Sequence, residues 1–437
     1  MGNNKIQVYR KYKVEIFIFL LAFGLRFLYA IFVLIFFGEH GFIAHSDAIW
    51  FYLHGAENLV DRQIFSLSVD FPYMPDAYRV PLYTIFVAFF LWLKLPLFWI
   101  IFVQNVIAGF ISVFIYRIGG LLGFSYGINL FAAILTALEP ASIYWNNLLM
   151  SDYLFTFLFI LACYYFFLKR FYFFALILGL ATLTRPTSLY FLPLFMLLII
   201  FENFKIREIR FHLPWRQIAV TTLIFFAILF PWLLRNKIVF NTWQLTSASW
   251  YNLYGILTQK FAAEEGFQLP RPVPPAGYPH PENFGYDFAN VPFYKNHFWE
   301  IVKERPFEYI KFHAALAFKS RLVNYYKYLV DYVIQPKFPN LLSSFSGALI
   351  YFLTALGWFF WIAVYVLMAA SLFYKGQRAR IIVFSSMVGI IMFTAGSTGA
   401  FGADGSRLIM PLAPFMFLFA AAGFNFIYNR LKYVFAR

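Results

Sequence analysis

The sequence predicts an all-α polytopic membrane protein with about ten spanning helices, in a range of roughly ten to twelve. Three observations lead there. Of 437 residues, 62% are hydrophobic and only 13% charged, and the mean hydropathy is +0.68. A water-soluble fold of this size could not bury so much apolar surface, and a backbone in lipid must satisfy its own hydrogen bonds, which helices do. Apolar runs recur along the chain at 14–37, 98–118, 126–145, 152–168, 171–184, 187–202, 217–234, 346–373, 380–399 and 408–428. Finally, lysine and arginine fall unevenly on the loops between them. One side receives Lys5, Arg10, Lys11, Lys13, Arg117, Lys169, Arg170, Lys205, Arg207, Arg210, Arg216, Lys375, Arg378, Arg380, Arg430, Lys432 and Arg437; the short loops of the other receive only Arg62, Arg79, Lys94, Arg185 and Arg407. That asymmetry places both termini in the cytoplasm.

The first run, 14–37, is too long for a signal-peptide core and lacks a small-residue cleavage site, so it reads as a retained anchor. The segment 81–95, bounded by Pro81 and Pro96, is short for a span; letting it cross would put the basic loop 203–216 opposite the basic N-terminus. It is therefore assigned to a first outer loop, 38–97, whose helices lie on the membrane. The expected divisions are 1–234, a transmembrane module carrying that loop; 235–345, an outer segment; and 346–437, the C-terminal spans. Within the second division, LPRPVPPAGYPHP at 269–281 excludes regular structure, and 296–330 reads as a helix broken near Pro306.

Composition also excludes several classes of function. The net charge of +15 fits the cytoplasmic loops, and no basic stripe or nucleic-acid motif accompanies it, so nucleic acid is not an expected partner. The single cysteine, Cys163, can form neither an internal disulfide nor a cysteine zinc site. Aromatics at 23%, with 61 Phe and 30 Tyr, suit lipid-facing surfaces and interfacial belts.

Candidate site residues come from the outer face. From Asp47 onward, Asp47, Phe51, His54, Asn58 and Asp61 recur at spacings of three and four, opposite Ile49, Trp50, Leu53, Ala56, Leu59 and Val60, which predicts an amphipathic helix. Asp47 stands where an N-cap would. Arg79 precedes VPLY, Asp152 opens the fourth span, Arg185 joins two spans, Arg235 ends one and Arg407 opens the last. Arginine's planar fork suits phosphate. A carboxylate can accept a proton from an attacking hydroxyl or hold a divalent cation such as magnesium or manganese. Together they suit nucleophilic displacement with a lipid phosphate as leaving group.

In order along the chain, SDAIWFYLHGAENL, YRVPLY, ALEPASIYWNNLLMSDYLF, LGLATLTRP and PWLLRN resemble the GT-C glycosyltransferases, over residues of about 14–240. More narrowly they are similar to the branch holding the lipid A aminoarabinose transferase and the dolichyl-phosphate-mannose protein mannosyltransferases. WEIVKERPFEYI at 299–310 and SRLIMPLAP at 406–414 are looser echoes. The resemblance implies an inverting transfer of a sugar from a polyprenyl-phosphate donor to a lipid, glycan or protein acceptor. It implies Asp47 and Asp152 as catalytic residues or metal neighbours and Arg79 on the donor phosphate, with Arg185, Arg235 and Arg407 as further phosphate contacts. His54, Tyr83 and Glu139 are candidate supports, Glu139 more readily as a structural residue beside Pro140. Many relatives carry two adjacent acids in the first loop; here Asp47 is followed by Ala48, which weakens the case for a metal there. The expected location is the bacterial inner (plasma) membrane, with the site on the outer face and membrane lipids around it. An undecaprenyl-linked glycan polymerase or ligase and a lipid-linked sugar transporter are the alternative readings.

Overall fold

The computed structural model describes residues 2–76, 78–203, 215–319, 346–373, 382, 384–386 and 404–435. Among these residues the chain is helical, with one isolated β-bridge, Ser66 to Pro75, and no strand. The chain begins with α1 (Gly2–Phe37). The segment between α1 and α4 holds α2 (His54–Arg62) and α3 (Pro81–Trp92). A bundle follows: α4 (Leu97–Leu121), α5 (Tyr126–Leu138), α6 (Pro140–Asn146), α7 (Asp152–Phe167), α8 (Phe171–Thr184), α9 (Phe191–Asn203) and α10 (Trp215–Phe240). Beyond it lie α11 (Ala248–Trp250), α12 (Gln259–Glu264), α13 (Val291–Glu304) and α14 (Pro306–Lys319), then the helices Ser346–Ala370, Asp404–Ile409 and Ala413–Phe435.

Among the described residues, Tyr12–Ile43, Leu97–Leu121, Trp215–Phe240 and Ala355–Phe373 are long and apolar enough to cross a membrane. The pair α5 and α6, bent by 52°, makes a fifth if it acts as one span. The runs expected to span at 152–168, 171–184 and 187–202 form shorter helices of 16, 14 and 13 residues. At 1.5 Å per residue these reach only about 20–24 Å, less than the roughly 30 Å of a hydrocarbon core. The run 187–202 loses its first turn to a 3₁₀ segment, Pro186–Tyr190, because Pro186 lacks the N–H that would bond back into α8. The expected span 380–399 lies almost wholly outside the described residues. α3, with 12 residues, buries Pro81, Tyr83, Thr84, Val87, Ala88 and Phe90 against α2, α4 and α8.

The bundle core is apolar and aromatic, and its centre is the last helix. Phe415 to Ala422 on Ala413–Phe435 are all at most 3% exposed. A Cβ on Gly423 would fall 1.8 Å from the Leu367 carbonyl, so this helix meets Ser346–Ala370 backbone to backbone.

The bend between α5 and α6 is organised by three residues. Pro140 has no N–H, so the Thr136 carbonyl loses its helical donor. The N–H groups of Ala141 and Ser142 donate to the Glu139 carboxylate (3.2 and 2.5 Å), which caps α6. The carbonyls left over are met from α1, where buried Arg26 donates to Ala137 O (2.9 Å) and Thr136 O (3.3 Å) and also to Ser142 Oγ (2.6 Å). Glu139 is thus a capping residue, and Arg26 supplies what the bend removes.

The segment after α10 has its own core of Tyr254, Leu257, Phe261, Tyr294, Phe298, Ile301, Tyr309 and Leu316. The stretch 269–281 is irregular as the sequence predicts, and α13 and α14 break at Arg305–Pro306, at the expected point; the helix starts earlier than expected, at Val291, and residues 320–330 of the predicted run lie outside the described residues.

Candidate functional site

Five of the six charged residues singled out on the outer face meet in one chain of alternating charge. Asp47 Oδ2 lies 3.1 Å from Arg79 Nη2 and 3.2 Å from Arg407 Nη2. Arg407 Nε lies 3.8 Å from Asp152 Oδ1, which accepts from Arg185 Nη1 at 2.5 Å. The order is Arg79, Asp47, Arg407, Asp152, Arg185, and three guanidinium groups against two carboxylates leave a net charge of plus one. Exposure falls from 21% at the Arg79 side chain to 0% at Asp152.

Each member is placed by local structure. Asp47 does not cap a helix. Its backbone is already helical, its side chain makes no capping bond, and its N–H donates to His45 Nδ1 (3.1 Å). The next six residues, Ala48–Leu53, form a π-turn rather than an α-helix. The wider turn shifts the predicted amphipathic face without abolishing it: Ala56, Leu59 and Val60 pack on the bundle core as expected, whereas Asn58, on the expected polar face, is buried and donates to Ser66 O and Ser68 O. Phe51 and Tyr52 then stand beside Arg79, whose guanidinium lies 4.2 Å from the Phe51 ring, 5.0 Å from Tyr78 and 5.6 Å from Tyr52. These ring faces hold the arginine by cation–π attraction. Asp152 sits in the first turn of α7, where a negative charge is favoured. Its Oδ2 is buried and, among the described residues, lacks a hydrogen-bond partner. Arg185 is the extended residue between α8 and the 3₁₀ turn. Arg407 arrives on Asp404–Ile409, with its guanidinium 5.7 Å from the Trp145 ring.

Burial alone would raise the Asp47 carboxyl, but the charges of Arg79 and Arg407 outweigh it and hold the group well below the usual carboxylate range. It is therefore ionised at any physiological pH, and a weak base while both arginines grip it.

The arginines face a cavity of about 1290 Å³. One end is lined by Arg79, Arg185, Arg407 and Tyr52. The other runs between α9 and α10 over Leu192, Pro193, Met196 and Phe226. The segment after α10 completes the lining with Thr246, Ser249, Trp250, Asn252 and Leu253, from a region where the sequence shows no motif. It is tied down by Thr246 Oγ1 donating to Tyr78 O (2.6 Å) and Tyr78 Oη donating to Asn252 Oδ1 (3.2 Å). A second π-turn, Tyr251–Thr258, starts at this junction.

Arg235 does not join the cluster. It donates to Asn236 Oδ1 (3.0 Å) and Phe65 O (3.5 Å) inside a cage of Phe65, Trp232 and Phe240 rings, because its place on α10 turns it toward the first loop. His54 also lies apart: its ring meets the Trp50 edge at 5.5 Å, following the π-turn. Tyr83 is fully buried; it donates to Gln104 Oε1 (2.7 Å) and packs its ring on Tyr52, which shares a hydrogen bond with Ser151 (2.8 Å). It supports the cavity wall from behind.

Asp76 escaped the sequence reading. Its Oδ1 accepts from the N–H of Tyr78 (3.1 Å), while Oδ2 is buried without a partner among the described residues. Burial raises this carboxyl from the ordinary 3.8 to about 6, despite the backbone N–H groups of Tyr78 and Arg79 and the charges of Arg235 and Arg79. Nothing in its local sequence, MPDAY, marks an acid as buried.

Among the described residues no three His, Cys, Asp or Glu side chains converge on a metal position. The two carboxylates that could share a cation, Asp47 and Asp152, already have arginine counter-ions, with Arg407 between them. The donor set does not fit a divalent ion in this arrangement.

No protein-family model matches the chain, and a search of curated proteins returns no match.

Proposed function

We propose that this chain is a glycosyltransferase that moves a sugar from a polyprenyl-phosphate donor to an acceptor lipid, glycan or protein at the outer face of a membrane. The observation that carries the reading is the cavity, with three guanidinium groups at one end and an apolar passage between α9 and α10 at the other. That pairing suits an amphiphile with a phosphate head and a hydrocarbon tail. A sugar monophosphate ester of a polyprenol is a phosphodiester carrying one negative charge, which the cluster's net charge of plus one balances. In this reading the chain crosses the bacterial inner membrane about ten times, with both termini cytoplasmic and short, broken helices around the site.

The proposed step is a displacement with inversion. The acceptor oxygen attacks the anomeric carbon, and the bond from that carbon to the phosphate oxygen breaks. Its electron pair leaves with the polyprenyl phosphate, whose second negative charge Arg79, Arg185 and Arg407 stabilise. The acceptor proton passes to Asp47. In the resting arrangement Asp47 is a weak base because Arg79 and Arg407 hold it. A donor phosphate competes for the same two guanidinium groups, and as they turn to it the Asp47 carboxyl regains basicity. Substrate binding thereby arms the base. Asp152, buried behind Arg185 and Arg407, keeps both arginines aimed at the phosphate.

The test is transfer by the purified chain from a polyprenyl-phosphate hexose to envelope acceptors, read as release of polyprenyl phosphate. Loss of release in Asp47→Asn, with the variant still folded, supports the reading. Near-normal release by Asp47→Asn refutes the assignment of the base, and a strict demand for a diphosphate-linked oligosaccharide refutes the donor class.

A further inference from the structure

The segment after α10 uses its polar side chains in two ways. Thr246 and Ser247 are committed to backbone. Thr246 Oγ1 donates to Tyr78 O (2.6 Å) and accepts from the N–H of Ala248 (3.0 Å), and Ser247 Oγ donates to Tyr286 O (2.5 Å). These bonds fix where the segment lies. Ser249 and Asn252 follow in the same stretch of chain, and both line the large cavity. Among the described residues, Ser249 Oγ and Asn252 Nδ2 bond to no protein group.

Asn252 is aimed by a locked tyrosine. The Tyr78 ring packs against Tyr286 (4.4 Å), Phe51 (5.1 Å) and Tyr251 (5.7 Å), so its hydroxyl is held in one place. From there it donates to Asn252 Oδ1 (3.2 Å). The amide oxygen is thereby occupied, and the amide nitrogen, with two N–H donors, is left for the cavity. Tyr78 also stands beside Arg79, whose guanidinium lies 5.0 Å from its ring. Asn252 is therefore one tyrosine side chain away from an arginine of the charged cluster. Trp250 adds an aromatic surface to the same wall.

An amide and a hydroxyl beside an aromatic surface are groups that recognise a pyranose: its rim hydroxyls take hydrogen bonds, and its C–H face packs on the ring. Such a sugar, esterified to a phosphate on Arg79, would reach this wall. Resting on the donor class proposed above, we propose that Ser249, Trp250 and Asn252 form the subsite for the donor's sugar. Asn252 contacts a sugar hydroxyl, and Tyr78 is a positioning residue that acts through it.

The test is thermal unfolding of the full chain in detergent, titrated with undecaprenyl phosphate and with undecaprenyl-phosphate glucose, mannose and galactose. In the wild type at least one glycosylated lipid should half-saturate at about one-tenth of the concentration that bare undecaprenyl phosphate needs. Asn252→Ala should remove most of that advantage and leave the response to undecaprenyl phosphate unchanged; Ser249→Ala should remove a smaller part. Tyr78→Phe, which keeps the ring, should lower the advantage in the wild type and change nothing further in Asn252→Ala. An advantage that survives Asn252→Ala, an equal loss for bare and glycosylated lipid, or no advantage for any of the three hexoses would each overturn the proposal while leaving the phosphate reading intact. A wild-type chain that responds to none of the four lipids would refute the donor class, and this subsite with it.

Discussion

Two buried arginine centres lie within this chain and are built on opposite principles. At the bend between α5 and α6, Arg26 spends its donors on backbone carbonyls and a serine hydroxyl, and Glu139 spends its acceptors on backbone N–H groups. The space beside them is only about 20 Å³. In the charged cluster, Arg79, Arg185 and Arg407 pair with the carboxylates of Asp47 and Asp152, Asp152 keeps an oxygen without a partner among the described residues, and a cavity of about 1290 Å³ opens in front. Charge matched to backbone in a sealed space repairs a fold. Charge matched to charge beside an open cavity can be re-partnered by a ligand.

That contrast can be broken most directly at Arg26. Arg26→Leu leaves two buried carbonyls without donors, at about 1–3 kcal/mol each, so the chain should lose most of its folded yield. Monodispersity and melting temperature in detergent check this, and a well-folded variant would erase the distinction. Next comes Asp47→Asn, for which we expect sugar transfer to fall about 10²–10³-fold with melting little changed.

A third expectation concerns Asp76, whose folded carboxyl titrates near 6 against an ordinary 3.8. Because folding raises it, the neutral form is favoured. Its stabilising effect is full below about pH 4 and is lost as pH rises through about 6. Asp76→Asn should therefore melt above the parent at pH 8 and level with it at pH 4; no difference between the two pH values would contradict the burial argument. The smallest effect belongs to Glu139→Ala, which removes a cap worth roughly 1 kcal/mol and should leave transfer intact. A large loss of transfer at unchanged stability would move Glu139 from the fold to the chemistry.

The sequence made the outer cluster legible because charge is scarce at span ends: Asp47, Arg79, Asp152, Arg185 and Arg407 stood out against apolar neighbours. Arg235 stood out for the same reason, yet its helix turns it into an aromatic cage that no one-dimensional pattern reveals. The amphipathic reading after Asp47 assumed 3.6 residues per turn; it found the inward-packing Ala56, Leu59 and Val60, but the π-turn Ala48–Leu53 shifts the register and buries Asn58. Thr246, Ser249 and Asn252 carry no period at all, since they act from short, irregular segments. The bend motif at Glu139 and Pro140 was readable as local chemistry, but its partner Arg26 lies more than a hundred residues away. The helical class follows from composition, whereas the span count depends on how the short helices α7, α8 and α9 sit in lipid.

Arg407 joins Asp47 across 360 residues of sequence. Before the last helices are in place, Asp47 has only Arg79 and Asp152 only Arg185, giving two self-cancelling pairs with no charge left over for a phosphate. The surplus positive charge of the cluster is therefore carried by its most distant member in sequence, so that under the proposed function a chain lacking Arg407 should hold both acids and yet bind a lipid phosphate poorly.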